Sequence, residues 1–368
     1  MKQLPVLEPG DKPRKATWYT LTPTGDSPCA RVGHSCSYLP PVGDSKRGKV
    51  FIAGGANPNR SFSDVHTMDL GQQLLNTCPV ARQQGFVLLA MTIHPFPKNP
   101  TMMGTPRLGV FDACLFPGPE TRTWTMPEVT SPPPSPRTFH TSSAAIGNQL
   151  YVFGGGERGA QPVQDVKLHV FDANTLTWSQ PETLGEPPSP RHGHVMVAAG
   201  TKLFIHGGLA GDKFYDDLHC IDISDMKWQK LSPTGAAPTG CAAHSAVTVG
   251  KHVYIFGGMT PTGALDTMYQ YHIEKQHWTL LKFDSFLPPG RLDHAMCIIP
   301  WAERCTSEKN SNSAVLNCDA EKGNSTEKGV TQDDDSQERQ SDTLLCFVFG
   351  GMNTEGEIYN DCIVTVVD

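Results

Sequence analysis

Four apolar residues run straight into a glycine pair at Leu150-Tyr151-Val152-Phe153-Gly154-Gly155, and the chain repeats the phrase. The pair returns as Gly54-Gly55, Gly207-Gly208, Gly257-Gly258 and Gly350-Gly351, each time after an apolar run. A short continuous apolar run suits a strand buried on both faces. A glycine pair at its end suits a chain leaving the sheet where no Cβ fits. A phrase that recurs about every fifty residues marks a repeat architecture, and this constrains the fold more than length does.

Three further landmarks keep the same period. Tryptophans stand at Trp18, Trp124, Trp178, Trp228 and Trp278. Histidines follow an arginine by three residues at His34, His140, His194 and His294, while His244 has Cys241 where the arginine should be. An aspartate follows each glycine pair: Asp64, Asp165, Asp217, Asp266 and Asp361. One unit therefore reads as Arg-x-x-His with a small-apolar strand, the strand ending Gly-Gly, a loop to Asp, a third strand, and a tryptophan strand. That is four antiparallel strands, with no helical periodicity anywhere.

These units resemble kelch repeats. The resemblance implies an all-β, six-bladed kelch β-propeller. The expected blades span residues 31–79, 80–126, 137–180, 191–230, 241–281 and 291–368. The last unit lacks a tryptophan strand, and Trp18 precedes any Gly-Gly strand. Residues 17–22 are therefore expected to complete the last blade and close the ring, leaving 1–16 as a tail. The repeated glycines, with Trp18, Trp124, Trp178, Trp228 and Trp278, read as architecture. So do the arginines, which are expected to tie neighbouring blades through backbone carbonyls.

Two stretches break the rhythm. Residues 72–119 are one blade long but carry no Gly-Gly, Arg-x-x-His or Trp, and prolines at 95, 97, 100 and 106 oppose interior strands. A diverged blade and a stretch translated out of frame are both open readings. Residues 302–343 hold ten acids and five bases, most of the net charge of −7. This acidic insert, between the first two strands of the last blade, is expected to be disordered.

Little points to chemistry. An acidic balance gives no footprint for nucleic acid. No signal segment or membrane span is visible. The 11 cysteines include no Cys-x-x-Cys and read as free thiols in a reducing compartment. Gly154-x-Gly156-x-x-Gly159 matches a dinucleotide fingerprint by letters, but no helix follows it. His192 and His194 could hold a metal, yet His194 is the repeat's own histidine. No catalytic, cofactor-binding or metal residues are expected, and no odd cluster stands apart from the repeat.

Alternating strand directions put the loops after Gly-Gly on one face, together with the proline-rich connections between blades. Candidate binding residues there are Arg60, Arg158, Lys213, Tyr215, Glu355 and Tyr359. The phrases Ala16-Thr17-Trp18-Tyr19-Thr20-Leu21 and Val348-Phe349-Gly350-Gly351-Met352-Asn353-Thr354-Glu355-Gly356 resemble the kelch-motif effectors of Rab GTPases. That resemblance implies a non-enzymatic platform for a GTP-bound, late-endosomal Rab GTPase. It also implies a role in returning mannose-6-phosphate receptors to the trans-Golgi network, with peripheral recruitment to late endosomes and trans-Golgi membranes. The alternatives are a kelch substrate adaptor or scaffold, which lacks a helical dimerisation domain here, and a metal-dependent propeller enzyme.

Overall fold

The computed structural model describes residues 3–40, 48–62, 64–70, 73–77, 116–117, 124–125, 129–135, 137, 144–157, 161–303 and 343–368. Among them are strands and turns but no helix. Five blades are described, each built on four antiparallel strands, and in two of them a short parallel strand adds a fifth. Their inner strands are Ser35–Leu39, Ala144–Ile146, Val195–Ala199, Ser245–Val249 and Ala295–Trp301. Successive inner strands pack side by side from 144–146 round to 295–301, which then meets 35–39. The result is a propeller wound about a central axis.

The apolar runs follow from that arrangement. Strand side chains alternate between two faces, and each face of a blade meets a different neighbour. In the fourth blade Leu203 and Ile205 point into the core shared with the third blade, beside Tyr151, Phe153 and Val170. Phe204, between them in sequence, packs instead with Val253, Ile255 and Tyr271 of the fifth blade. The cores lie between blades rather than within one, so the strand leading to Gly-Gly is apolar on both faces.

The sixth blade closes as expected. Trp18–Leu21 pairs antiparallel with Cys362–Val366, with Trp18 opposite Thr365 and Leu21 opposite Cys362. Two chain ends far apart in sequence thus complete one sheet. Residues before Trp18 are more than a tail. Leu7 is buried in the core between the first and sixth blades. Its N–H donates to Thr20 O at 3.0 Å, and the Trp301 indole donates to Asp11 O at 2.8 Å. A few apolar residues, Leu4, Val6 and Leu7, in a polar, proline-rich segment are too weak a signal to place it there.

The repeat tryptophans sit on outer strands. Trp18, Trp178, Trp228 and Trp278 are all buried. Trp124 lies opposite Pro117 in a two-residue pairing. Most of the expected second blade, 80–126, lies outside the described residues. So does the insert at 304–342, whose flanks Trp301 and Thr343 pair at the end of the sixth blade remote from Gly350.

The connections between blades differ from expectation. Before turning to the loop face, each runs along the outer strand of the blade it enters. Thr24–Gly25 pairs parallel with Leu74 and Leu75, Leu184 with Lys227, and Thr234–Gly235 with His277 and Trp278. An outer strand otherwise exposes a row of unpaired backbone groups, and the connection covers it. The glycines here have no substitute. Gly235 has φ +88°, and a Cβ on it would lie 2.2 Å from Trp278 O. Gly25 and Gly185 are alike in both respects.

Candidate binding face

Each Gly-Gly pair sits where two blades meet. At Gly207 (φ +70°) a Cβ would fall 2.7 Å from the Cys241 carbonyl, and at Gly208 (φ +91°) 2.8 Å from the His194 Cβ. The second glycine's N–H seals the seam by donating to the next blade's arginine-position carbonyl. Gly155 donates to Arg191 O, Gly208 to Cys241 O, Gly258 to Arg291 O and Gly351 to Arg31 O, all at 2.8–3.0 Å.

The arginine side chains turn the other way, which corrects the expectation that they bridge blades. Arg191 stays within its own blade. Its Nε donates to Ser189 O, and its Nη1 to Gly207 O at 3.0 Å. The remaining donors form a fork onto both Asp217 oxygens. Arg31 and Arg291 repeat the arrangement with Asp64 and Asp361, and Arg137 holds Asp165 through one nitrogen. Backbone, not guanidinium, joins neighbouring blades, because the donors of Arg191 are taken up within its own blade. Histidines add to the first three aspartates: His66, His169 and His219 each meet the carboxylate through Nε2. Burial raises the Asp165 carboxyl, but the Lys167 N–H, His169 and Arg137 more than offset this and hold it at about 2.

Above three of these arginines an aromatic ring is stacked. Arg31 lies 4.2 Å from the Phe62 centroid, Arg191 4.0 Å from that of Tyr215, and Arg291 4.6 Å from that of Tyr359. In two blades an exposed cation stacks on the same ring: Arg60 on Phe62 at 4.9 Å and Lys213 on Tyr215 at 4.8 Å. Each ring's backbone N–H is fixed 2.8 Å from the carbonyl of the second glycine. The loops are also joined across seams, since Cys241 N donates to Tyr215 O and Arg31 N to Tyr359 O. Glu355 is exposed on a loop held by Asn353, whose Oδ1 accepts from the N–H of Glu355 and of Glu357.

Of the six candidate loop residues, Arg60, Lys213, Tyr215, Glu355 and Tyr359 therefore share one loop face, the last two on the blade next to Arg60. Arg158 lies outside the described residues. Phe62 lies in a loop expected on this face but was not singled out, although it stands seven residues after Gly55, as Tyr215 does after Gly208. The fifth blade departs from the pattern, with Cys241 for arginine and Leu265 at the aromatic position.

Rigid loops, exposed cations on aromatic rings, and carboxylates spoken for by arginine define a binding propeller of the kelch type. The family model described as the KLHDC2/KLHL20/DRC7 Kelch-repeats domain matches residues 108–302, just over half of the chain. Over its whole length the chain is similar to proteins named Rab9 effector protein with kelch motifs. It is 77% identical to that of Homo sapiens and 76% to that of Bos taurus. Identity to that of Danio rerio is 45%. In all three cases 100% of this chain and 100% of the relative are covered. The chain belongs to this family of kelch-repeat propellers.

Proposed function

We propose that this protein is a non-enzymatic effector that binds a Rab GTPase in its GTP-bound state through the loop face. The single observation carrying the reading is similarity along the full chain to relatives named as Rab9 effectors. The face offers what a GTPase surface requires: a rigid platform with aromatic area and cations held in place. A GTPase reports its nucleotide by ordering its switch segments around the γ-phosphate. A platform whose loops are fixed to one another reads such a surface at small entropic cost. Recruitment by the GTPase would bring the protein to late-endosomal and trans-Golgi membranes. There it would promote return of mannose-6-phosphate receptors to the trans-Golgi network.

The test is capture of purified Rab GTPases loaded with a GTP analogue or with GDP. We expect capture of a late-endosomal Rab only with the analogue. Lys213→Glu and Arg60→Glu should each lower affinity about tenfold or more, since a reversed charge meets the same partner surface. The melting temperature should not move, because both side chains are exposed. Equal capture in the two nucleotide states would overturn the effector reading.

A further inference from the structure

We propose that His206, His244 and Cys241 form a buried site for one soft, thiophilic metal ion, Zn(II) or Cu(I), clamped between the fourth and fifth blades. The argument begins with the repeat. The residue before Gly-Gly is Ala53, Phe153, Phe256 or Phe349 in the other described blades, and His206 in the fourth. The position three before the repeat histidine is arginine in the other four described blades and Cys241 in the fifth. Two departures from a five-fold pattern, 35 residues apart, meet at one seam.

The geometry there is that of a donor set. At other seams the phenylalanine packs edge-on against the next blade's histidine, as Phe349 does on His34 and Phe256 on His294. Here two imidazoles replace that pair, centroids 5.2 Å apart and nearly perpendicular. His206 Nδ1 lies 3.1 Å from His244 Nε2, and Cys241 Sγ lies 3.6 Å from His244 Nδ1. One donor atom from each residue lies within 4.8 Å of the others. Nitrogens about 2.0–2.1 Å and a sulfur about 2.3 Å from one ion would stand roughly 3.3–3.7 Å apart. The two short contacts use opposite nitrogens of His244 and one ion takes only one of them, so side-chain rotation on binding must close the remaining separation of up to 4.8 Å.

Hydrogen bonding alone leaves the seam unsatisfied. If the thiol donates to His244, then His244 donates to His206, whose Nε2–H has no partner. If the relay runs backwards, the Nε2 lone pair is the orphan. His206 Nε2 is indeed buried without a hydrogen-bond partner. Replacing an edge-on phenylalanine by such a group is unfavourable; an ion would not supply the Nε2 partner, but with the hydrogen on Nε2 the Nδ1 lone pair is free to take it. The donors suit soft metals: one thiolate and two neutral imidazoles. Among the described residues no fourth donor joins the group. Three-coordination and neutrality with one thiolate favour Cu(I), while Zn(II) would leave one positive charge in the seam.

The site is sealed, so the ion is captured during folding. The test is therefore to refold the full chain under reducing conditions with Zn(II), with Cu(I), or with chelator. Bound metal is then measured by competition against a chromophoric chelator, and the melting temperature is recorded. We expect one tight equivalent and a higher melting temperature with one of the two ions, which decides between them. His206→Phe restores the side chain of the other seams and so should fold. It and Cys241→Ser should each weaken binding on the order of a hundredfold or more and abolish the thermal shift. Cys29→Ser, at an exposed thiol, should change neither. Absence of a tight equivalent from the wild type overturns the site, as does its retention by His206→Phe and Cys241→Ser.

Discussion

A fully buried guanidinium is tolerable only when its donors are used, because the unpaired charge would be costly. Arg291 meets the condition. Its Nε donates to Pro289 O at 3.3 Å, and Nη1 to Gly350 O at 3.0 Å. Both terminal nitrogens meet Asp361 at 2.7–2.9 Å. The bonds hold the strand exit in place beneath the Tyr359 ring. Arg291→Met keeps the length of the side chain but strands the Asp361 carboxylate and the Gly350 carbonyl. We expect a loss of about 3–5 kcal/mol, measured by urea unfolding. A loss below about 1 kcal/mol would make the pair equivalent to a surface ion pair and refute this role. The partner aspartate was legible as a spaced residue after Gly-Gly, but its pairing was not. Arg291 and Asp361 are 70 residues apart, and only the sheet brings them together.

Among elements, the N-terminal strand carries the most consequence for its length. Four residues, Trp18–Leu21, pair with Cys362–Val366 and bury Trp18 against Phe256, ring centroids 4.9 Å apart. Thr365 Oγ1 also donates to Thr17 O at 2.9 Å. Removing residues 1–21 would bare the long edge of the sixth blade and the Leu7 site together. An unpaired, apolar edge is a template for association. The truncated chain should aggregate or melt far below the intact one, read by light scattering and thermal unfolding. A truncated chain that stays monomeric with an unchanged melting temperature would falsify the closure. The tryptophan before the first Gly-Gly strand made this strand readable in the sequence. The edge-covering connections were not read, although Thr24-Gly25 and Thr234-Gly235 are the same dipeptide. Their glycines are demanded by a carbonyl of a strand about fifty residues later, which no local pattern reveals.

At the scale of the whole molecule the seams set the response to acid. Burial, with the Arg31 charge adding to it, lowers His34 to about 3. Burial and Arg291 likewise hold His294 well below its ordinary value. Both pKa values are lower folded than unfolded, so the unfolded chain binds more protons below about pH 6.5. Their contribution is complete above that pH and declines as pH falls, by about 1.4 kcal/mol per unit for each histidine. Asp165, held at about 2, adds to the loss below about pH 4. Asp293 works in the opposite sense. Burial raises it to about 6, so its carboxylate opposes folding at neutral pH and ceases to do so toward pH 4. The melting temperature should therefore fall steadily between pH 6.5 and 4. Asp293→Asn should be more stable than wild type at pH 7.5 and lose that advantage by pH 4. An advantage independent of pH would rule out the carboxylate as its cause.

The sequence by itself determined the propeller, the buried strand faces and the place of ring closure, because these rest on local periodicity repeated every fifty residues. It also pointed to the loop face, since strand direction alternates with each turn. The tertiary structure decided what depends on a seam. It turned the arginines inward to their own blades and stacked aromatic rings over three of them. It docked Leu7 beneath the closing strand and brought His206 to Cys241. A seam joins residues that share no strand, and their distance is set by the closing of the ring rather than by spacing along the chain.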